Sequence, residues 1–232
     1  MRPISIKKTL ILVSILAIPG FLFFYLLPKF AKNRYKSLPI YGEKIVAKTF
    51  HSVKGKQIPD TIYHTVPDFS LVNQENETIN WTSLKGKIVI LNLFYRESSL
   101  KDVNTNVKSI ADGYQKNPLI RFLSLSVNPK DNPSNLKDLV SSLEAKSGKW
   151  DILSGDTLLT YPFIRHGLLL DMIYHEEAGE TKFIYGNKII LLDNQHRIRG
   201  YYEATNPDAL AKLDDEIKVL VAEDLRNLKD GR

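Results

Sequence analysis

The hydrophobic pattern opens with residues 9–27 (TLILVSILAIPGFLFFYLL), nineteen residues without a charge, bounded by Lys7 and Lys8 on one side and Lys29 on the other. As a helix rising about 1.5 Å per residue, this stretch spans roughly 28 Å, enough for a bilayer core of about 30 Å. It predicts a retained single-pass anchor. A cleaved signal peptide is the competing reading, but such apolar regions usually stop at about 15 residues and end in a small-residue cleavage site. Lys29-Phe30-Ala31-Lys32 supplies no such site. Pro19-Gly20 in the middle is tolerable in a membrane helix, where local adjustments re-satisfy the backbone.

Beyond residue 36 the pattern alternates strands with helices. Residues 44–50 and 61–64 read as strands around a Lys54-Gly55-Lys56 turn, and residues 68–72 follow before a polar turn at 73–76. Residues 87–95 (KIVILNLFY) are nearly continuously apolar, as a strand buried on both faces should be. Residues 99–114 fit a helix and 120–127 a second central strand. A helix follows over 132–146, with Asn132 suited to its cap and Pro133 to its first position. A short strand at 150–153 and a helix at 156–170 come next. A hairpin pairs 188–192 with 198–202 through Asp193-Asn194-Gln195-His196, and a long amphipathic helix over 206–227 closes the chain. No internal repeat is visible. The division expected is an anchor and basic flank over 1–36, a juxtamembrane linker and small β-hairpin extension over 37–60, and one α/β domain over 61–232.

Charge changes the picture in one respect. Residues 1–36 hold seven Lys and Arg and no acid, which leaves 25 of the 32 basic side chains against all 26 acidic ones in residues 37–232. The formal net charge of +6 therefore belongs to the membrane flank. No basic stripe remains on the folded domain, so the composition argues against nucleic-acid binding. Basic residues flank the apolar stretch on both sides, and their count leaves its orientation open. The chain has no cysteine, which excludes thiol-dependent reductase or peroxidase chemistry.

The order of a strand, a turn into a helix, a second parallel strand and a late antiparallel hairpin before a terminal helix is the thioredoxin arrangement. Several segments narrow it: Val66-Pro67-Asp68-Phe69-Ser70-Leu71, residues 84–94 (LKGKIVILNLF), residues 121–131 (RFLSLSVNPKD), residues 150–155 (WDILSG), residues 187–193 (NKIILLD) and residues 197–202 (RIRGYY). In this order, over about residues 60 to 225, they resemble the Sco/SenC family of membrane-anchored copper chaperones for cytochrome c oxidase assembly. The resemblance implies a thioredoxin-like fold and a soluble domain facing the periplasm from the cell inner membrane. It also implies copper ligands: two cysteines three residues apart after the first central strand, and a histidine before the late hairpin. Soft Cu(I) favours such thiolate and imidazole donors. Those positions fall on Ser98, Asp102 and Tyr185. All three ligands are substituted, so no metal or cofactor is expected.

The replacements admit two readings. Ser99 and Asp102 stand three apart where a helix must begin, a spacing that satisfies free amides and places acid at the positive end of the helix dipole. Alternatively Ser98, Asp102 and Tyr185 form a hard-metal or small-ligand site, although one carboxylate and two hydroxyls make a poor cation cage. Of the five histidines, His51, His64, His166, His175 and His196, no pair stands at i, i+4 on a helix. His175-Glu176-Glu177 with His166 could gather a metal on the loop expected after the 156–170 helix, although an exposed polar loop is the usual explanation for such residues. That helix carries Leu158, Leu159, Phe163, Ile164, Leu168 and Leu169, a stripe wider than one packed face requires. Full burial is one account of it, and docking of a membrane-bound assembly factor the other. The reading reached is a non-catalytic, membrane-tethered binding or scaffold protein in oxidase biogenesis, touching the bilayer and a membrane-protein partner. The alternative is a metal-binding protein with an altered oxygen/histidine site.

Overall fold

The computed structural model describes residues 6–26, 37–53, 55–95, 101–177 and 180–229, and the chain forms two compact units, Met1–Lys36 and Ser37–Arg232. In the first unit α1 (Ile6–Phe21), 16 residues long, is continued by a π-helical stretch, Leu22–Leu26. The expected uninterrupted span over 9–27 is thus divided, and Leu27 lies outside the described residues. Pro19 sits inside α1, where its ring crowds the carbonyl four residues back and withholds an amide. The ladder widens to π three residues later, one of the adjustments an interrupted helix makes. Among the described residues no helix is long and apolar enough to cross a membrane.

In the second unit β1 (Lys44–Val53) and β2 (Lys56–Tyr63) form a hairpin longer than the expected pair of strands. A small ribbon follows, β3 (Leu71–Val72) with β4 (Thr78–Ile79), closed over a turn in which Asn73 Oδ1 accepts the amides of Glu75 and Glu77. Next come β5 (Ile88–Phe94), α2 (Lys101–Gly113), β6 (Ile120–Ser126), α3 (Lys137–Leu143), β7 (Trp150–Leu153) and α4 (Thr157–Pro162). Strand β8 (Met172–Glu177) pairs with β9 (Glu180–Tyr185), β10 (Lys188–Leu192) pairs with β11 (Ile198–Glu203), and α5 (Pro207–Lys229) is the final helix.

The central sheet has the order β11-β10-β5-β6-β7, with β5, β6 and β7 parallel and β10 antiparallel to β5. Side chains of a strand alternate between faces, so the run of β5, apolar but for Asn92, feeds two cores at once. Ile88, Ile90 and Phe94 pack with Val103 and Val107 of α2 and Leu213, Ile217 and Leu220 of α5. Val89, Leu91 and Leu93 meet Phe69, Trp81, Phe163, Ile164 and Leu168 on the other face. This is the thioredoxin-like α/β arrangement read from the sequence.

Three expected elements differ. The helix expected over 132–146 is confined to α3, because Asn132 Oδ1 accepts the amides of Ser134 and Asn135 and so holds a separate turn before it. Its far end is closed by Glu144 in the left-handed region (φ 53°), whose amide bonds back to Val140 and Ser141. The helix expected over 156–170 begins as predicted, with Asp156 accepting the Leu159 amide at 2.9 Å, but passes at Pro162 into a π-helical turn, Phe163–Gly167. Finally His175-Glu176-Glu177, expected in a loop, lies in strand β8. The β-formers Ile173 and Tyr174 there find register partners in Ile184 and Phe183.

Candidate functional site

The positions singled out by the sequence gather at one end of the central sheet. Strand β5 ends at Phe94 and α2 starts at Lys101; Ser98 and Ser99 lie outside the described residues. Asp102 is the second described residue of α2. Tyr185 is the last residue of β9, in register with Met172. Because Ile189 of the antiparallel β10 pairs with Asn92, the chain leaving β9 arrives at the end of β5 from which the connection to α2 departs. The topology therefore brings the Asp102 and Tyr185 segments to the same end of the sheet.

Around them the framework is held by polar groups that the sequence reading passed over. After β6, Ser126 Oγ donates to Asp131 Oδ2 at 2.6 Å, Asn128 Oδ1 accepts the Lys130 amide at 3.0 Å, and the Val127 amide reaches Phe94 O at 3.0 Å. The carboxylate of Asp131, 5% exposed, thus holds the loop beside the end of β5. The Asn128-Pro129-Lys130-Asp131 stretch carried a turn signal that could have shown this. Across the sheet, Trp150 Nε1 donates to Ser124 Oγ at 2.9 Å, and Ser124 Oγ donates to Asn92 Oδ1 at 2.6 Å. Two buried polar atoms, Asn92 Nδ2 and Asn104 Oδ1, find no hydrogen-bond partner among the described residues. Asn106 Nδ2 donates to Ala204 O at 2.8 Å and ties α2 to the chain just after β11.

The donor set does not fit copper. A hydroxyl, a carboxylate and a phenol are hard oxygen ligands, whereas Cu(I) selects sulfur and imidazole. Of the two sulfur atoms in the chain, that of Met172 belongs to a side chain 4% exposed and packed in the second core. Among the described residues no three His, Asp or Glu side chains converge on a point that could hold a metal ion.

Three of the histidines are otherwise engaged, and His166 is exposed in the π-helical turn. His51 Nδ1 lies 2.6 Å from Asp60 on the β1–β2 hairpin, and His64 Nε2 lies 2.8 Å from Gly167 O. His196 stacks on Trp81 with ring centroids 4.0 Å apart. Burial holds its imidazole below the ordinary range, against the opposing pull of Asp193 and Asp68. The apolar stripe of the 156–170 segment divides: Phe163, Ile164 and Leu168 are buried, while Leu158 is 84% and Leu159 52% exposed. These two leucines border a groove of about 290 Å³ shared with Pro67, Phe69, Pro162 and His166.

Comparison with known proteins gives a consistent result. The SCO1/SenC family model matches residues 59–219. The SCO1 protein homolog of Bacillus subtilis (strain 168) is 25% identical over 111 residues, which are 44% of this chain and 54% of that protein. The chain thus spans about half the length of that curated relative. Among solved structures, a SCO1/SenC family lipoprotein from Bacillus anthracis str. Ames superposes with a TM-score of 0.59 at 19% identity, over 68% of this chain and 95% of the other. BsSco, a member of the Sco family of cytochrome c oxidase assembly proteins in which a disulfide switch was identified, gives 0.57 at 20% identity over 68% and 93%. Bradyrhizobium japonicum ScoI with copper bound gives 0.51 at 20% identity over 65% and 98%.

Proposed function

Since the chain belongs to the SCO1/SenC family, we propose that it serves cytochrome c oxidase biogenesis as a binding or scaffold factor, without carrying copper and without catalysis. The observation behind this reading is the donor set. Ser98, Asp102 and Tyr185 occupy the family's ligand positions, the chain has no cysteine, and the Met172 thioether is buried. A disulfide switch like that of BsSco has no counterpart without thiols. The apolar stretch 9–27 tethers the protein to the inner membrane, with the folded unit on the periplasmic side. Its partner is a membrane protein of the same assembly process, and exposed Leu158 and Leu159 supply apolar surface for it.

A copper titration tests the donor argument. The purified full chain, challenged with Cu(I) in the presence of a mild competing chelator, is expected to retain none, because one buried thioether and the amino-terminal Met1 do not make a tight site. Stoichiometric retention at submicromolar affinity would overturn the proposal in favour of an altered metal site. A second arm replaces Ser98, Asp102 and Tyr185 together by Ala: oxidase assembly should fall no further than the folded fraction of protein falls.

A further inference from the structure

The β1–β2 hairpin is a surface the site leaves unused. Among the described residues its strands pair only with each other, and a lone two-stranded ribbon is marginal in water unless something covers it. Its base is tied to the rest of the unit by the Tyr41 amide to Ile198 O at 2.9 Å and by His64 Nε2, 2.8 Å from Gly167 O. On one face Val46 is 69% and Phe50 61% exposed, and on the other Ile45 is 53% and Ile62 58% exposed. In the register Lys44 faces Tyr63, Val46 faces Thr61 and Phe50 faces Pro59, so an aromatic and apolar set shares one side of the ribbon with Lys44. Lys44 Nζ lies 5.9 Å from the Tyr63 ring centroid, and Lys48 sits between Val46 and Phe50 in the bulged stretch.

Charge points to what covers it. Residues 44–63 hold four lysines and one aspartate, whereas the rest of residues 37–232 holds 21 basic and 25 acidic side chains. The segment between α1 and this unit adds Lys29, Lys32, Arg34 and Lys36 with no acid. An aromatic, apolar ribbon face edged by lysines, on an otherwise acidic unit, matches an anionic lipid surface, where rings enter the headgroup boundary and ammonium groups reach the phosphates. Strand β1 precedes the family match over 59–219, whereas Pro59 and Tyr63 of β2 fall inside it.

We propose that the β1–β2 hairpin is an anionic-lipid contact, with Val46, Phe50, Pro59 and Tyr63 in the interface and Lys44 and Lys48 on the lipid phosphates. Its placement rests on the anchor reading of residues 9–27; the lipid contact itself does not. The absence of cysteine allows a single label. The full chain carrying Phe50→Cys or, separately, Val46→Cys is labelled with an environment-sensitive fluorophore and mixed with phosphatidylcholine vesicles with or without phosphatidylglycerol. Both probes should shift to the blue with a several-fold rise in intensity only when phosphatidylglycerol is present, and a probe at Ser142→Cys should not. The shift should shrink as salt rises from about 0.1 M to about 1 M, where the screening length falls from roughly 10 to 3 Å. It should vanish when Lys44→Glu and Lys48→Glu are added. No shift, or an equal shift without phosphatidylglycerol, overturns the proposal, and so does a shift that follows protein concentration alone, which would mark a second copy as the occupant. Alkaline carbonate flotation of the same samples separates the two readings. A carbonate-resistant chain with unshifted probes sinks the hairpin contact alone, and a carbonate-released chain with shifted probes sinks the anchor alone.

Discussion

Arg199, 4% exposed, shows how single residues hold the start of the folded unit. Its Nη2 donates to Leu38 O and to Glu223 Oε2, both at 2.8 Å, its Nε to Pro39 O at 3.2 Å and its Nη1 to Asp193 Oδ2 at 3.1 Å. Glu223 Oε1 in turn accepts the Leu38 amide at 3.1 Å. One guanidinium fork thus joins residues 38–39, the β10–β11 turn and α5, a task a lysine could not perform with a single ammonium group. Asp224 lies at the edge of this group. Burial first, then repulsion from Asp193 and Glu223, pushes its carboxyl up to about 6 against the pull of Arg199 and Arg197, whereas the unfolded chain titrates near about 3.9. The folded state therefore binds this proton more tightly than the unfolded state does. Ionised Asp224 weakens the fold above about pH 6, and that penalty disappears as the pH falls below the unfolded value. Asp224→Asn should raise unfolding stability at pH 7.5 by about 1–2 kcal/mol and change little at pH 4. Urea denaturation at the two values checks this, and an equal effect at both would mean that packing, not charge, sets the environment of Asp224.

At the scale of elements, the segment holding α4 and its π-helical continuation does two jobs with opposite faces. Phe163, Ile164 and Leu168 complete the second core, while Leu158 and Leu159 stand in solvent. Replacing both leucines, Leu158→Asp with Leu159→Asp, removes little buried area, so stability should fall by less than about 1 kcal/mol. Oxidase assembly in cells should fall severalfold if this ridge meets the partner. Intact assembly in a stable double variant would move the partner surface elsewhere. The elements that the sequence predicted well are those whose pattern is set by burial. Strand β5 had to be apolar on both faces because helices and loops cover both, and strand β7 matched its expected bounds. The departures follow local rules that a hydrophobic pattern does not carry. Pro162 turned a helix to π, Asn132 spent its side chain on a separate turn, and β8 pairs with a strand the pattern did not single out. At the candidate site the sequence supplied the identities of Ser98, Asp102 and Tyr185, and the topology supplied the meeting of the Asp102 and Tyr185 segments. The Ser126–Asp131 and Trp150–Ser124–Asn92 contacts were invisible, since they join residues whose proximity depends on strand register.

For the whole molecule, the proposed attachment to the bilayer would decide where every other surface can act. The helical run from Ile6 to Leu26 is α-helical for 16 residues and π-helical for five, so the proposed anchor would need the bilayer, or neighbouring protein, to accommodate the irregular turns after Pro19. Backbone groups in hydrocarbon must be paired internally or by a neighbour, and a proline in the segment makes that demand specific. The attachment expected is nonetheless hydrophobic rather than ionic. About twenty apolar residues in lipid are held by area, not by charge, and salt does not weaken that. The full chain should therefore sediment with membranes through both high salt and alkaline carbonate, and the mature protein should keep an amino terminus before Thr9. Replacing Ile11 and Ile15 by Lys, both more than half exposed on α1, should shift the chain to the soluble fraction, because a lysine near a membrane-helix centre costs about 3 kcal/mol. Release of the unsubstituted chain by salt alone, or an amino terminus found near Phe30, would show that the basic flank or a cleaved leader, not a retained helix, explains the first unit.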